Sequence, residues 1–158
     1  MIISALFLEG ETNMDVAVKT PWHLWVVGGL SLLWNAFPVV DFTMTNLQNA
    51  AWLSQYNEAQ RALILGGPGW SNICWAIGGF GSFLGSLLLL FRSRHAVSAF
   101  LLSALGLAGM TWYQLVQNGD AFRRVLGDAP LYMNIVIWVV LLALLFYARA
   151  MKAKGVLR

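Results

Sequence analysis

Four times along this 158-residue chain, at 21–45, 70–91, 96–116 and 131–150, twenty or more residues pass with almost no charge. A helix needs roughly 20 apolar residues to cross the hydrocarbon core of a bilayer, so this pattern limits the fold more than any motif does. Composition agrees with it. Hydrophobic residues make up 59% of the chain and charged ones 11%, against roughly 25% charged in a soluble domain. A soluble fold of this length lacks the interior to hide so much apolar surface. The expectation is an all-α integral membrane four-helix bundle, a single domain over residues 21–158.

The first apolar stretch, PWHLWVVGGLSLLWNAFPVVD, begins with a proline suited to a first helical turn. Trp22 and Trp25 stand at interface depth. Gly28, Ser31, Asn35 and Pro38 recur at spacings of three and four, which puts them on one small, polar face that should look towards protein. Pro38 cannot donate to the Trp34 carbonyl, so a kink or a freed carbonyl is expected there.

Between the first two spans, residues 46–69 lose apolar density. The segment EAQRALIL, entered from Ser54 to Asn57, suits a short amphipathic helix lying on the membrane surface, with Leu53, Ala59, Ala62, Leu63 and Leu65 towards lipid and Glu58 and Arg61 towards water. Gly66, Gly67, Pro68 and Gly69 end it. The second span is rich in small residues. Gly78 with Ser82, and Gly81 with Gly85, form two small-xxx-small pairs that let another helix approach closely. The third span has its own small face at Ala99, Ser103, Gly106 and Met110, and the fourth carries Asn134 and Trp138 one turn apart.

Basic residues set the expected orientation. Lys19, Arg92, Arg94, Arg149, Lys152, Lys154 and Arg158 fall on one side of the four spans, and Arg61, Arg123 and Arg124 on the other. The side richer in Lys and Arg is the cytoplasmic one, which gives both termini to the cytoplasm and makes residues 1–20 a cytoplasmic tail. That tail opens with MIISALFL, too short for a span, and Met14 is an alternative start. The net charge of +3 comes from residues at span ends, so the expected partner is membrane lipid and not nucleic acid.

PWHLW at 21–25, LLWN at 32–35, the Asp-Phe-Thr-Met-Thr that follows Pro38, and LGSLLLLFRSR running to Arg94 resemble a group of small bacterial inner-membrane proteins, some of which carry a sugar-transporter label. The resemblance covers the first two thirds of the chain. It implies a four-span protein of the bacterial inner membrane.

Few residues are candidates for chemistry. An ionisable group in a span is costly and by default suggests a ligand or a pathway, which singles out Asp41; its alternative is an interfacial cap or an ion pair to Arg61, Arg123 or Arg124. Asn35 lies deeper and needs a partner for its amide. Either it bonds to a neighbouring helix, or it joins Asp41, Trp34 and Trp75 around a polar pocket. His23 and His95 sit at one face with too few further ligands for a metal or haem site, and Cys74 is a lone thiol in an apolar span. No serine, histidine and acid arrangement suggests hydrolysis, and no cofactor is expected. The leading expectation is a non-enzymatic accessory or scaffold subunit, in a homo-oligomer or a larger membrane complex. It would pack through Gly78, Gly81, Ser82, Gly85, Ser103 and Gly106. The alternative is a transporter or small-ligand carrier with its pocket at Asn35 and Asp41.

Overall fold

The computed structural model describes residues 19–158, and the expectations about the preceding tail and its start lie outside them. The described residues form seven α-helices: α1 (Trp22–Asn46), α2 (Ala50–Leu53), α3 (Glu58–Leu65), α4 (Gly69–Leu90), α5 (Ala96–Thr111), α6 (Gly119–Leu126) and α7 (Ala129–Ala153). A π-helical turn, Trp112–Gln117, prolongs α5, so that Ala96–Gln117 is one apolar helix of 22 residues. It joins α1, α4 and α7 as the four helices among the described residues that are long and apolar enough to cross a membrane. At about 1.5 Å per residue the shortest of them reaches about 33 Å, enough for a hydrocarbon core about 30 Å thick.

The spans run alternately up and down, and α4 is the central element. It packs on α1 along one face and on α5 along the next, while α7 closes on α5. The α1 face is the one its three-and-four spacing predicts, since Gly28, Ser31 and Asn35 are buried there. Along the antiparallel α1–α4 pair, Gly28 lies against Leu90, Asn35 bonds to Ser86, Pro38 lies against Gly79, and Phe42 meets Trp75. The helix runs unbroken through Pro38; with Gly79 opposite, the ring has a neighbour without a side chain.

The α4–α5 contact is closer. A Cβ on Gly81 would sit 3.1 Å from the Ser103 backbone, and one on Gly85 would come 2.7 Å from the Phe100 ring. Glycine at these places lets two helices approach to backbone contact, which is how helices associate where lipid removes the hydrophobic drive. The small residues of the second span therefore face two helices of the same chain. The packing interface expected between subunits is filled from within.

The two ends of the bundle differ. Where α1 starts, α4 stops and α7 ends, Leu24, Leu89, Ala96, Phe100, Leu144, Leu145, Ala148 and Met151 form one buried apolar cluster, with Val156 and Leu157 tucked against it. We call this the basic end, after the arginines and lysines around it. Here the Arg158 N–H donates to the Arg92 carbonyl at 2.8 Å and the Arg94 N–H to the Arg158 carbonyl at 2.9 Å. At the opposite, cap end, the expected short helix EAQRALIL is α3, and one further turn of helix, α2, precedes it, the two separated by residues 54–57. Asn57 forms a capping box with Gln60, each side chain accepting from the other's backbone N–H. The capping box fixes where α3 starts. Of the residues expected to lie on lipid, Leu53 is buried, Leu63 half-buried, and Ala59, Ala62 and Leu65 exposed.

Candidate functional site

The polar residues of the spans fall into three separate groups. The first lies midway along α1. Asn35, 5% exposed, donates its amide to the Ser86 hydroxyl at 2.9 Å and to the Ser82 carbonyl at 3.4 Å. Ser86 in turn donates to the Ser82 carbonyl at 3.1 Å, and Ser82 to the Gly79 carbonyl at 2.9 Å. The Asn35 amide thus bonds to α4 and not to a carbonyl freed by Pro38. One hydroxyl and one backbone carbonyl of α4 supply it, and serine offers that hydroxyl at a bulk that close packing tolerates.

The second group joins α5 to α7. The Thr111 hydroxyl oxygen accepts from the Asn134 amide at 2.9 Å and from the Trp138 indole at 3.0 Å. Asn134 and Trp138, one turn apart, converge on one atom. Immediately after Thr111 the chain winds as a π-helix, closed by the Asn118 N–H and amide, which both donate to the Tyr113 carbonyl at 3.1 Å. On the same helix Ser103 donates to the Gly78 carbonyl at 2.7 Å.

The third group is at the cap end. Asp41 is half-buried, and its Oδ1 accepts from the Trp52 indole N–H at 3.0 Å. Thr45, one turn on, is buried on the same face of α1. The alternative of an ion pair to Arg61, Arg123 or Arg124 is not what forms. Arg123 pairs with Asp128 at 3.0 Å, Arg61 donates its Nε to the Tyr56 carbonyl at 2.8 Å, and Arg124 donates to the Asp120 carbonyl at 3.1 Å. Each arginine is drawn to an acceptor within five residues of itself, while Asp41 lies on another helix. Tyr56, half-buried, lies between α2 and α3. Burial pushes its phenol above the usual tyrosine range, and the negative charge of Asp41 pushes it further.

The residues expected to share a pocket are therefore not gathered in one. Asn35 and Asp41 are six residues apart on α1, about 9 Å along the axis, and bond to different elements. Trp34 turns away from α4 and is 42% exposed. Trp75 packs edge-on against Phe42, with ring centroids 5.3 Å apart. His23 and His95 do not bond to each other: the His23 Nδ1 shares a hydrogen bond with the Tyr147 hydroxyl at 2.6 Å, and His95 is exposed. Among the described residues, no buried side-chain polar atom lacks a partner and no three of His, Cys, Asp and Glu cluster as metal ligands. The best-formed hollows are shallow and superficial, at Asn57–Ala62 and around Leu115–Arg124.

Two residues with decisive contacts, Trp52 and Thr111, are not among those the sequence singles out. Trp52 had a signal. Asn49 caps α2 by accepting from the Trp52 N–H at 3.0 Å, and an asparagine three residues before a tryptophan marks a helix start. That start turns the chain back over the end of α1.

Compared with protein-family models, with curated proteins and with solved structures, the chain matches none.

Proposed function

We propose that this chain is a non-enzymatic protein of the bacterial inner membrane that acts as an accessory or scaffold subunit, with both termini cytoplasmic. The observation that carries this reading is the state of the interior. Asn35, Ser103, Asn134 and Trp138 each bond to a neighbouring helix, and none of the buried side-chain polar atoms among the described residues is without a partner. A pathway for a polar solute needs polar groups free to replace its water. An interior that satisfies its own polar groups suits a rigid packed element. Because the α4 glycines are covered by α1 and α5, contacts to a second copy or to another subunit would use the lipid-facing sides of the bundle. The excess of basic residues at one end supports the orientation.

Crosslinking in native membranes, followed by copurification and mass spectrometry, tests the proposal. A stable neighbour or a second copy is expected; recovery of monomer alone would overturn it. Reporter fusions to the two ends check the orientation.

One observation favours a second reading, a transporter or small-ligand carrier around Asn35 and Asp41. No Lys, Arg or His nitrogen lies within 4 Å of the Asp41 carboxylate among the described residues. Uptake into vesicles tests it. Given a wild-type signal, unchanged flux in Asn35→Leu and Asp41→Asn variants would rule it out.

A further inference from the structure

Two of the spans end in the same way at the basic end. After α4 the Ser93 N–H donates to the Leu88 carbonyl at 2.8 Å and the Arg92 N–H to the Leu89 carbonyl at 3.0 Å. After α7 the Val156 N–H donates to the Met151 carbonyl and the Gly155 N–H to the Lys152 carbonyl, both at 3.0 Å. Each turn needs one residue in the left-handed region, which glycine enters freely and other residues enter at a cost. Gly155 fills that position after α7 with a φ of 70°, and Arg92 fills it after α4 with a φ of 57°. The Arg92 Nε is turned to the Val156 carbonyl at 3.4 Å, longer than the usual range for an N–H to oxygen bond, so this contact does little to offset the cost. A strained residue kept where glycine would serve points to a use for its side chain.

The same turn is joined to the tail. Arg158 donates its N–H to the Arg92 carbonyl and accepts from the Arg94 N–H, while Val156 and Leu157, 2% and 4% exposed, anchor the tail in the apolar core. Three arginines are thereby held at neighbouring backbone positions on two chain segments. Arg94 and Arg158 are exposed and Arg92 is half-buried, and none has a carboxylate within 4 Å among the described residues. The described acidic residues, Asp41, Glu58, Asp120 and Asp128, all belong to the cap end. Aromatic rings mark the level at which the arginines stand. Phe91, next to Arg92, is 72% exposed, and Trp22, on the first turn of α1 at the same end, is 76% exposed. Exposed rings at a span end belong at the depth of the lipid headgroups. The acceptors that meet the arginines there are lipid phosphates, which a guanidinium takes through two parallel N–H bonds.

We propose that Arg92, Arg94 and Arg158 form a docking site for an anionic phospholipid whose headgroup carries two phosphates. The turn and the tail cannot drift apart, because two backbone hydrogen bonds and the buried Val156 and Leu157 hold them together. Arginines fixed on two joined segments suit two phosphates fixed on one headgroup. Once the first phosphate is bound the second is held close to its own arginine, so the pair binds more tightly than two separate single-phosphate lipids. The other basic residues of this end, such as Arg149 and Lys152, attract anionic lipids through charge alone and do not prefer one kind. The site goes beyond the role of an accessory subunit and does not depend on it.

The test is native mass spectrometry of the full chain, with Glu9, Glu11 and Asp15 ahead of the first span present. The protein is released from nanodiscs of phosphatidylethanolamine containing phosphatidylglycerol and cardiolipin at equal phosphate. Arg92→Gly is the discriminating variant, because glycine suits the left-handed turn and removes the guanidinium. Arg94→Gln removes an exposed guanidinium and leaves the backbone of the turn alone. Arg149→Gln, which takes the same charge from the same end outside the turn and the tail, is the control. The wild type is expected to retain cardiolipin over phosphatidylglycerol by about tenfold or more. That preference should disappear in Arg92→Gly and in Arg94→Gln and be kept in Arg149→Gln, with the thermal transition of Arg92→Gly at or above that of the wild type. If Arg92→Gly melts lower, Arg94→Gln decides alone. Equal retention of the two anionic lipids by the wild type, a preference that survives in Arg94→Gln, or the same loss in Arg149→Gln would overturn the proposal.

Discussion

Gly106 lies against Gly78 so closely that a Cβ at position 106 would come within 2.5 Å of the Gly78 nitrogen and 2.7 Å of the Cys74 carbonyl oxygen. Both obstacles are backbone, so neither can rotate away. Gly106→Ala is expected to push α4 and α5 apart at the expense of the Ser103 to Gly78 hydrogen bond. Overpacking of this kind costs typically about 1–3 kcal/mol. Gly29 has nothing within 4 Å of where its Cβ would be, and Gly29→Ala should be neutral or slightly stabilising. Unfolding of the two variants in mixed micelles checks the contrast; equal loss in both would show that helix propensity, and not the α4–α5 contact, is being measured.

The Asn35 to Ser86 bond should be worth little and be costly to misuse. Interhelical hydrogen bonds in membrane proteins average about 0.6 kcal/mol, so a double-mutant cycle of Asn35→Ala and Ser86→Ala is expected to return a coupling near that value. Asn35→Asp, nearly identical in shape, places a carboxylate deep in a span, where insertion scales give about 2.5–3.5 kcal/mol. The aspartate variant should therefore lose far more stability than the alanine one. The reverse order would mean that water reaches position 35.

Thr111 is predicted to matter through its oxygen alone. Thr111→Val keeps the shape and strands the Asn134 amide and the Trp138 indole, both of which donate to that oxygen. A buried donor left unpaired costs about 1–3 kcal/mol. Thr111→Ser keeps the acceptor and should stay close to the wild type. Unfolding in mixed micelles distinguishes the two; a serine variant as damaged as the valine one would assign the role to the methyl group.

The Tyr56 phenol gives a dependence on pH. Burial and then the Asp41 charge raise its pKa in the folded protein above the ordinary value of 10.0. The folded state therefore holds this proton more tightly than the unfolded chain does. Its contribution to stability is intact below pH 10 and is lost as the pH climbs through the raised value. In Asp41→Asn the charge is gone and burial remains, so the titration should move down towards 10 without reaching it. Absorbance of tyrosinate, as the difference between each protein and its Tyr56→Phe counterpart, checks both statements. An unmoved titration would place the carboxylate too far from the ring to act.

The spans were legible because the bilayer demands a length, and length survives in sequence. Each observed spanning helix begins and ends within three residues of its expected bounds, α7 differing most because Ala129 and Pro130 start it ahead of its apolar run and it continues past residue 150 to Ala153. The buried face of α1 was legible for a similar reason, since Gly28, Ser31 and Asn35 follow the helical repeat. What helix would cover a small face was not legible. Gly78, Gly81 and Gly85 turn to α5 while Gly79, Ser82 and Ser86 turn to α1, and spacing separates those two faces without naming their neighbours. The partner of Asp41 was hidden differently. Trp52 lies eleven residues away across a break in the helix, and such a bond depends on how the chain turns at Gln48, whose φ of 50° no periodicity reports.

The uneven placement of the core has a mechanical consequence. Leu24, Leu89, Phe100, Leu145 and Met151 lock the basic end into one apolar block. The cap end is joined by single side-chain bonds, such as Trp52 to Asp41, and by ring edges, such as Trp70 on Tyr113 and Tyr113 on Phe122. On that packing the basic end should act as the stiffer hub and the cap end as the more compliant rim. A change in bilayer thickness or lateral tension is then expected to be taken up at the rim, by tilting of α2, α3 and α6, before it disturbs the hub. One leaflet would register the strain well before the other.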